Sequence, residues 1–89
     1  MPVAYHLVVT GRVQGIGYRE SCRHQAGMLG VAGWVRNCPD GSVEAHLEGE
    51  PDAVEALVRW CRSGPRWAEV RGCTTTPADV EGLAGFRVR

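Results

Sequence analysis

Two short stretches of the chain combine residue types that could bind and orient a charged molecule. The first, GRVQGIGYR, runs from Gly11 to Arg19 and holds three glycines and two arginines. The second, GWVRNCPDG, runs from Gly33 to Gly41 and carries an asparagine before a tight-turn sequence. Glycine exposes the backbone, arginine supplies a permanent cation, and the neutral amide of asparagine can orient a polar group without exchanging a proton. Together these residue types predict a site that binds an anion and orients a second, polar molecule next to it.

The first stretch is predicted to bind phosphate through its backbone amides. Gln14 to Tyr18 join a strand-like run to a helix-like run, and the N–H groups at a helix start lack helical partners. Gly15 and Gly17 would let several amides converge on one oxyanion, and the guanidinium of Arg19 suits phosphate oxygens. The expected donors are the amides of Gln14, Gly15, Ile16, Gly17 and Tyr18. A turn without a ligand is the alternative, because the stretch is neither a GxGxxG fingerprint nor a P-loop.

Periodicity predicts the elements that must position these residues. Apolar residues alternate along the first strand, and Tyr18, Cys22, Ala26 and Leu29 recur at helical spacing. In chain order the sequence predicts a strand ending near 13, a helix at about 19–30, strands at 31–37 and about 43–48, a helix at about 51–63, a strand at about 68–76 and a short strand at about 86–89. This order is typical of the split βαβ, or ferredoxin-like, α+β sandwich, an antiparallel sheet with two helices on one face and here a short extra C-terminal strand. Residues 1–89 are expected to form a single domain.

The second stretch has two interpretations. Asn37 could start the turn that Asp40 and Gly41 complete, with Trp34 packed nearby. In the predicted fold, however, the first and second strands are parallel and flank the third, so their C-terminal ends share one edge of the sheet. Two strand spacings, about 10 Å, would separate those ends. That gap suits a phosphate held by Arg19 with a water held by Asn37 beside it.

Both stretches and the order of elements resemble those of the acylphosphatases. GRVQGIGYR is similar to the family signature GRVQGVxFR, with Ile16 and Tyr18 in place of valine and phenylalanine, and GWVRNCPDG is similar to a second signature, GWVxNxxDG. The resemblance covers the whole chain. It implies an enzyme that hydrolyses small acyl phosphates to a carboxylate and inorganic phosphate, without a cofactor. It also implies that Arg19 binds the substrate, that Asn37 orients the attacking water, and that the amides of residues 14–18 form the phosphate cradle.

Two other functions stay open at this point. A ferredoxin-like fold could serve as a non-catalytic module that binds RNA, an effector or a partner protein. Carbamoyl phosphate could be the substrate, as the resemblance to the acylphosphatase-like domain of larger hydrogenase maturation proteins implies. The outward residues predicted for the third strand, Glu44, His46 and Glu48, do not favour RNA, which is usually bound by exposed aromatic and basic side chains.

Composition narrows the partners and the location. Ten basic and ten acidic residues give a formal net charge of zero, so no overall field attracts nucleic acid or a membrane surface. The N-terminal residues lack the pattern of a secretory signal, which predicts a cytoplasmic protein and reduced thiols. The four cysteines are scattered singly, so no metal site is expected: Cys22, Cys38, Cys61 and Cys73. We therefore expect a monomer with a small-molecule substrate.

The remaining polar residues are predicted to lie at the surface. His6, His46, Glu44 and Glu48 fall on what should be the solvent side of their strands, and His24 falls on the polar side of a helix. Alternation along the strands places His6, His46, Glu44 and Glu48 opposite the apolar face, so a solvent-exposed face of the sheet would account for them.

Overall fold

The fold is a five-stranded sheet with two helices. The computed structural model describes residues 1–89. In chain order the elements are β1 (Val3–Arg12), α1 (Tyr18–Leu29), β2 (Ala32–Asn37), β3 (Val43–Gly49), α2 (Pro51–Ser63), β4 (Glu69–Ala78) and β5 (Phe86–Val88). Each predicted element is present within a few residues of its expected bounds. Neither helix has the length and apolar character needed to cross a membrane.

The strand order is β4-β1-β3-β2-β5, which confirms the ferredoxin-like sandwich. The central strand β3 pairs antiparallel with both β1 and β2, so β1 and β2 run in the same direction. The register of β1 against β4 shifts between Thr10 and Gly11, which marks an irregularity of the β-bulge type. The short β5 pairs parallel to β2, and this extra strand makes the sheet mixed.

The core lies between the sheet and the two helices. Alternate residues of the strands point into it, among them Leu7, Val9, Val35, Ala45 and Leu47, all 2% exposed or less. The helices contribute apolar stripes. Of the stripe predicted for α1, Tyr18, Cys22 and Ala26 are buried and Leu29 is partly buried, and α2 contributes Val54, Leu57, Val58 and Cys61. Burying one large apolar side chain contributes about 1.5–3 kcal/mol, so these stripes fix both helices on the sheet. The start of α1 is thereby held at one edge.

The prediction that His46 and Glu48 are at the surface is wrong. They are only 3% and 4% exposed, because residues 79–85, here called the C-terminal strap, lie over this part of β3. Both Glu81 and Leu83 donate backbone N–H groups to the Glu48 carboxylate, at 2.9 Å each. The His46 ring lies 2.7 Å from the same carboxylate. Alternation along a strand separates its two faces but does not reveal that a later segment covers one of them.

The other polar residues lie where they were expected. The Glu44 carboxylate is partly exposed and pairs with both His6 and Arg36. The hydrogen bond from His6 and the ion pair with Arg36 lower the pKa of Glu44, against a smaller opposing effect of burial. His24 is exposed on α1. Glu44, His6 and Arg36 form surface ion pairs, and neither they nor His24 line the site described next.

Candidate active site

The two stretches predicted to do chemistry meet in one cavity at the edge of the sheet. The cavity has a volume of about 180 Å³. It lies where the loop after β1, the first turn of α1, the end of β2 and the end of β5 come together. Its lining is Val13, Gly15, Gly17, Tyr18, Arg19, Glu20, Asn37 and Val88. Arg19 and Asn37 are therefore brought together, whereas Gln14 and Ile16 do not line this cavity.

The loop between β1 and α1 has the backbone geometry of an anion cradle. Gly15 and Gly17 have φ values of 76° and 82°, in the left-handed region that glycine adopts without strain. Gly17 precedes the first turn of α1, and no side chain caps that end. None of the nine backbone hydrogen bonds outside the helices and strands is donated by residues 14–20. Several N–H groups at the positive end of a helix are thus free to bind an anion.

Arg19 brings a guanidinium to the cavity with most of its donors free. Its one hydrogen bond in the protein runs from Nη1 to the main-chain oxygen of Arg89, at 3.2 Å. It forms no ion pair with an acidic side chain, whereas the neighbouring Glu20 is paired with Arg23. The hydrogen bond from Arg23 keeps the pKa of Glu20 below its usual value. Arg19 is therefore the cation of this cavity that is available to an anion.

Asn37 presents an acceptor that the protein leaves unused. It is the last residue of β2, and its Oδ1 is buried without any hydrogen-bond partner. A buried polar atom without a partner costs about 1–3 kcal/mol, so such atoms are rare and usually serve a ligand or a water. The oxygen of Asn37 can accept a hydrogen bond from an O–H group held in the cavity.

The loop between β1 and α1, residues 13–17, is here called the cradle loop. The side chain of Gln14 joins it to the turn that follows Asn37. Its Nε2 donates to the carbonyl oxygens of Cys38 and Ser42, at 2.8 and 2.9 Å. Asp40 closes the same turn by accepting from the backbone N–H and the hydroxyl of Ser42. Sequence reasoning considered only the backbone amide of Gln14 and missed this bridge. No pattern of residue types signals it, since its acceptors are backbone carbonyls.

The cysteines lie away from the cavity chemistry. Cys22 and Cys61 are buried between the helices, and the Tyr18 hydroxyl donates to the carbonyl oxygen of Cys61 at 2.7 Å. A hydrogen bond with Cys61, together with burial, raises the pKa of the Cys22 thiol. No three side chains among histidine, cysteine, aspartate and glutamate are grouped so as to hold a metal ion. The cavity itself presents backbone amides, the guanidinium of Arg19, the neutral amide of Asn37 and the Glu20 carboxylate, which is paired with Arg23.

Comparisons of sequence and structure relate this chain to known proteins. A family model described as acylphosphatase matches residues 5–88. An acylphosphatase of Nocardioides sp. is 52% identical over 89 residues, which is 100% of this chain and 90% of that protein. Among solved structures, an acylphosphatase from Coxiella burnetii superposes with a TM-score of 0.95 at 39% identity, over 99% of this chain and 93% of that one. The acylphosphatase from Bacillus subtilis gives a TM-score of 0.94 at 33% identity, over 98% of each chain.

Proposed function

The chain belongs to the acylphosphatase family and is a hydrolase acting on acyl phosphates, and on that premise we propose which of its groups perform the reaction. The phosphate is held by Arg19 and by the backbone amides of residues 14–18, and the attacking water is oriented by Asn37. The observation that carries the proposal is that Arg19 and the partnerless Oδ1 of Asn37 line one cavity beside the free N–H groups of a helix start. No other cavity holds both groups.

The cradle stabilises the charge of the phosphoryl group as it is transferred. In the transition state negative charge is spread over the three equatorial oxygens, and fixed donors aimed at them lower the barrier. The loop amides and the first turn of α1 supply donors that need not reorganise. The planar guanidinium of Arg19 adds two parallel donors and a full positive charge.

Asn37 orients the water but takes no proton from it. Its Oδ1 accepts one O–H of the water, which directs an oxygen lone pair at phosphorus. The P–O bond to the carboxylate breaks as the new P–O bond forms, and the proton of the water passes to the phosphate group. The products are the carboxylate and dihydrogen phosphate, so atoms and charge balance. Correct positioning of this kind can lower a barrier by several kcal/mol, up to about 7–11 in model systems.

The leaving group explains why the cavity needs no general acid. A carboxylate departs without prior protonation, because its conjugate acid has a pKa of about 4. The one carboxyl group in the lining, Glu20, is paired with Arg23 and is ionised at neutral pH. The substrates that fit these groups are small free acyl phosphates, and inorganic phosphate should compete with them for the cradle.

The experiment that tests the proposal follows the oxygen of the water. Purified protein is incubated with acetyl phosphate in ¹⁸O-labelled water, with and without a chelator, and both products are analysed by mass spectrometry. Label in the phosphate, equal rates with the chelator, and competitive inhibition by inorganic phosphate are expected. Label in the acetate would show attack at carbon and would contradict the water position proposed for Asn37. Absence of turnover would contradict the proposed function.

A further inference from the structure

A second groove adjoins the cavity on the other side of the cradle loop. It has a volume of about 450 Å³, and we call it the Trp67 groove. Its lining includes Gly15 and Ile16 of the cradle loop, together with Arg12 and Trp67. Gly15 lines both the groove and the cavity. Gly15 is exposed and carries no side chain, and a Cβ atom built on it would meet nothing within 4 Å apart from its chain neighbours.

The Trp67 groove combines an apolar wall with unpaired cations. Trp67 is 70% exposed, and Ile16, which also lines the groove, packs against the core. Arg12 and Arg66 line the groove and form no ion pair, and the guanidinium of Arg66 lies 5.3 Å from the centre of the Trp67 ring. Glu69 is the only acidic residue of the lining, so positive charge is in excess.

We propose that the Trp67 groove is the acyl-group subsite of the enzyme, and that it selects acyl phosphates with an apolar body and an anionic group at its far end. The phosphate would occupy the cavity, and the carboxyl carbon would pass over Gly15. The apolar body then packs against Ile16 and Trp67, and the terminal anion meets Arg12 and Arg66. This inference rests on the proposed function, because it requires the phosphate to lie in the cradle.

Arg19 is the only cation in the lining of the cavity beside Asn37, and the proposed function assigns that cation to the phosphate. An anionic group at the far end of the acyl body would therefore need a second cationic site. A single exposed tryptophan is ordinary at a protein surface. An exposed tryptophan beside two unpaired arginines, on a groove that shares a residue with the cradle, has the mix of apolar wall and convergent polar groups typical of ligand sites.

The test compares three substrates that differ only in the acyl group: acetyl phosphate, benzoyl phosphate and 4-carboxybenzoyl phosphate. For Trp67→Ala we expect kcat/KM for benzoyl phosphate to fall about fivefold relative to acetyl phosphate, as for other aromatic contacts. For Arg66→Gln and Arg12→Gln we expect the preference for 4-carboxybenzoyl over benzoyl phosphate to fall about threefold, as for an exposed ion pair. Trp67→Phe should restore most of the loss.

Controls separate this inference from the function on which it rests. Arg59→Gln removes an exposed arginine on α2, far from the groove, and should leave every ratio unchanged. Acetyl phosphate turnover reports on folding and on the cradle in each variant. If the wild type hydrolyses all three substrates but the variants change all rates equally or not at all, the subsite is overturned and the proposed function stands. If the wild type hydrolyses none of them, both fail.

Discussion

Arg19 and Asn37 present different chemistry to the same cavity. Arg19 brings a charge whose single hydrogen bond in the protein is to the main-chain oxygen of Arg89, and Asn37 brings a neutral acceptor without a partner. The first suits an anion and the second suits a water. Substitutions of the two residues should therefore affect different kinetic parameters.

Arg19→Lys should weaken the binding of substrate and of inorganic phosphate by about 10- to 100-fold, because lysine keeps the charge but loses the planar pair of donors. The fold should be unchanged, since the bond to Arg89 that is lost lies at the surface. Isothermal titration with phosphate, together with the melting temperature, checks both statements. An unchanged phosphate affinity would remove Arg19 from the cradle.

Asn37→Ala should lower kcat by about 100-fold or more while leaving phosphate affinity nearly intact, because in the proposed reaction the amide holds the water and not the phosphate. A purely turn-forming asparagine would behave differently. Its loss would lower the stability by about 0.5–2 kcal/mol and leave the turnover of the folded fraction unchanged. Melting temperature, phosphate affinity and turnover measured on one preparation distinguish the two. A joint loss of turnover and phosphate binding would mean that Asn37 shapes the cradle itself.

At the residue scale, the sequence predicted which side chains meet but not everything that holds them. Arg19 and Asn37 could be paired in advance because the order of strands brings the ends of β1 and β2 to one edge. The acceptors of the Gln14 side chain are main-chain carbonyls of a turn, and any residue types could supply them. Their position depends on the turn geometry, which appears only in the folded chain.

Among the elements, the β2–β3 turn and the cradle loop are held together through Gln14. Two hydrogen bonds from one amide group fix the distance between the free N–H groups and the end of β2. In the proposed reaction, the geometry between phosphate and water depends on that distance. A small displacement of the turn would therefore lower the rate of hydrolysis before it weakened phosphate binding.

Gln14→Leu should lower kcat by about 10- to 100-fold and destabilise the protein, because the variant keeps the bulk but leaves the two carbonyl oxygens without their donor. Phosphate affinity should change less than kcat, since the backbone amides of the loop remain. Asp40→Asn perturbs the same turn without touching the loop and serves as the matched control. Equal effects of both variants on kcat would show that turn stability, and not the bridge, controls the rate.

The C-terminal strap shows the limit of reading elements from periodicity. The alternation of β3 correctly placed Val43, Ala45 and Leu47 in the core. It could not show that residues 79–85 cover His46 and Glu48 on the other face, because those residues form neither helix nor strand and carry no period. The acidic and imidazole groups that suggested a wet surface are instead the attachment points of the strap.

At the scale of the whole molecule, the strap connects the sheet to the cavity. Its Gly85 carbonyl accepts the N–H of Gly33, and it leads into β5 and Arg89, whose main-chain oxygen accepts a hydrogen bond from the Arg19 side chain. The Arg89 guanidinium lies over the ring of Trp34, at 4.5 Å from its centre. Loss of the strap's contacts should therefore lower the stability of the fold directly and affect the site only indirectly.

The charge of Glu48 makes this attachment dependent on pH. Burial disfavours the carboxylate, but the N–H group of Glu81, the ring of His46 and the N–H group of Leu83 together outweigh burial and lower the pKa of Glu48. A carboxyl group whose pKa is lower in the folded state stabilises the fold above its ordinary pKa of about 4.3. That contribution is lost as the pH falls through the folded-state pKa.

Glu48→Gln should therefore destabilise the protein at neutral pH and flatten its response to acid. At pH 7 the loss should be about 1–3 kcal/mol, because glutamine keeps a single neutral acceptor for the two N–H groups of the strap. Below about pH 4 the wild-type Glu48 is progressively protonated, so the two stability curves should converge. Urea unfolding between pH 7 and pH 3 measures this.

Glu44→Gln is the control, because Glu44 also has a lowered pKa but pairs with His6 and Arg36 away from the strap. Parallel curves for wild type and Glu48→Gln over the whole range would show that the charge of Glu48 does not hold the strap.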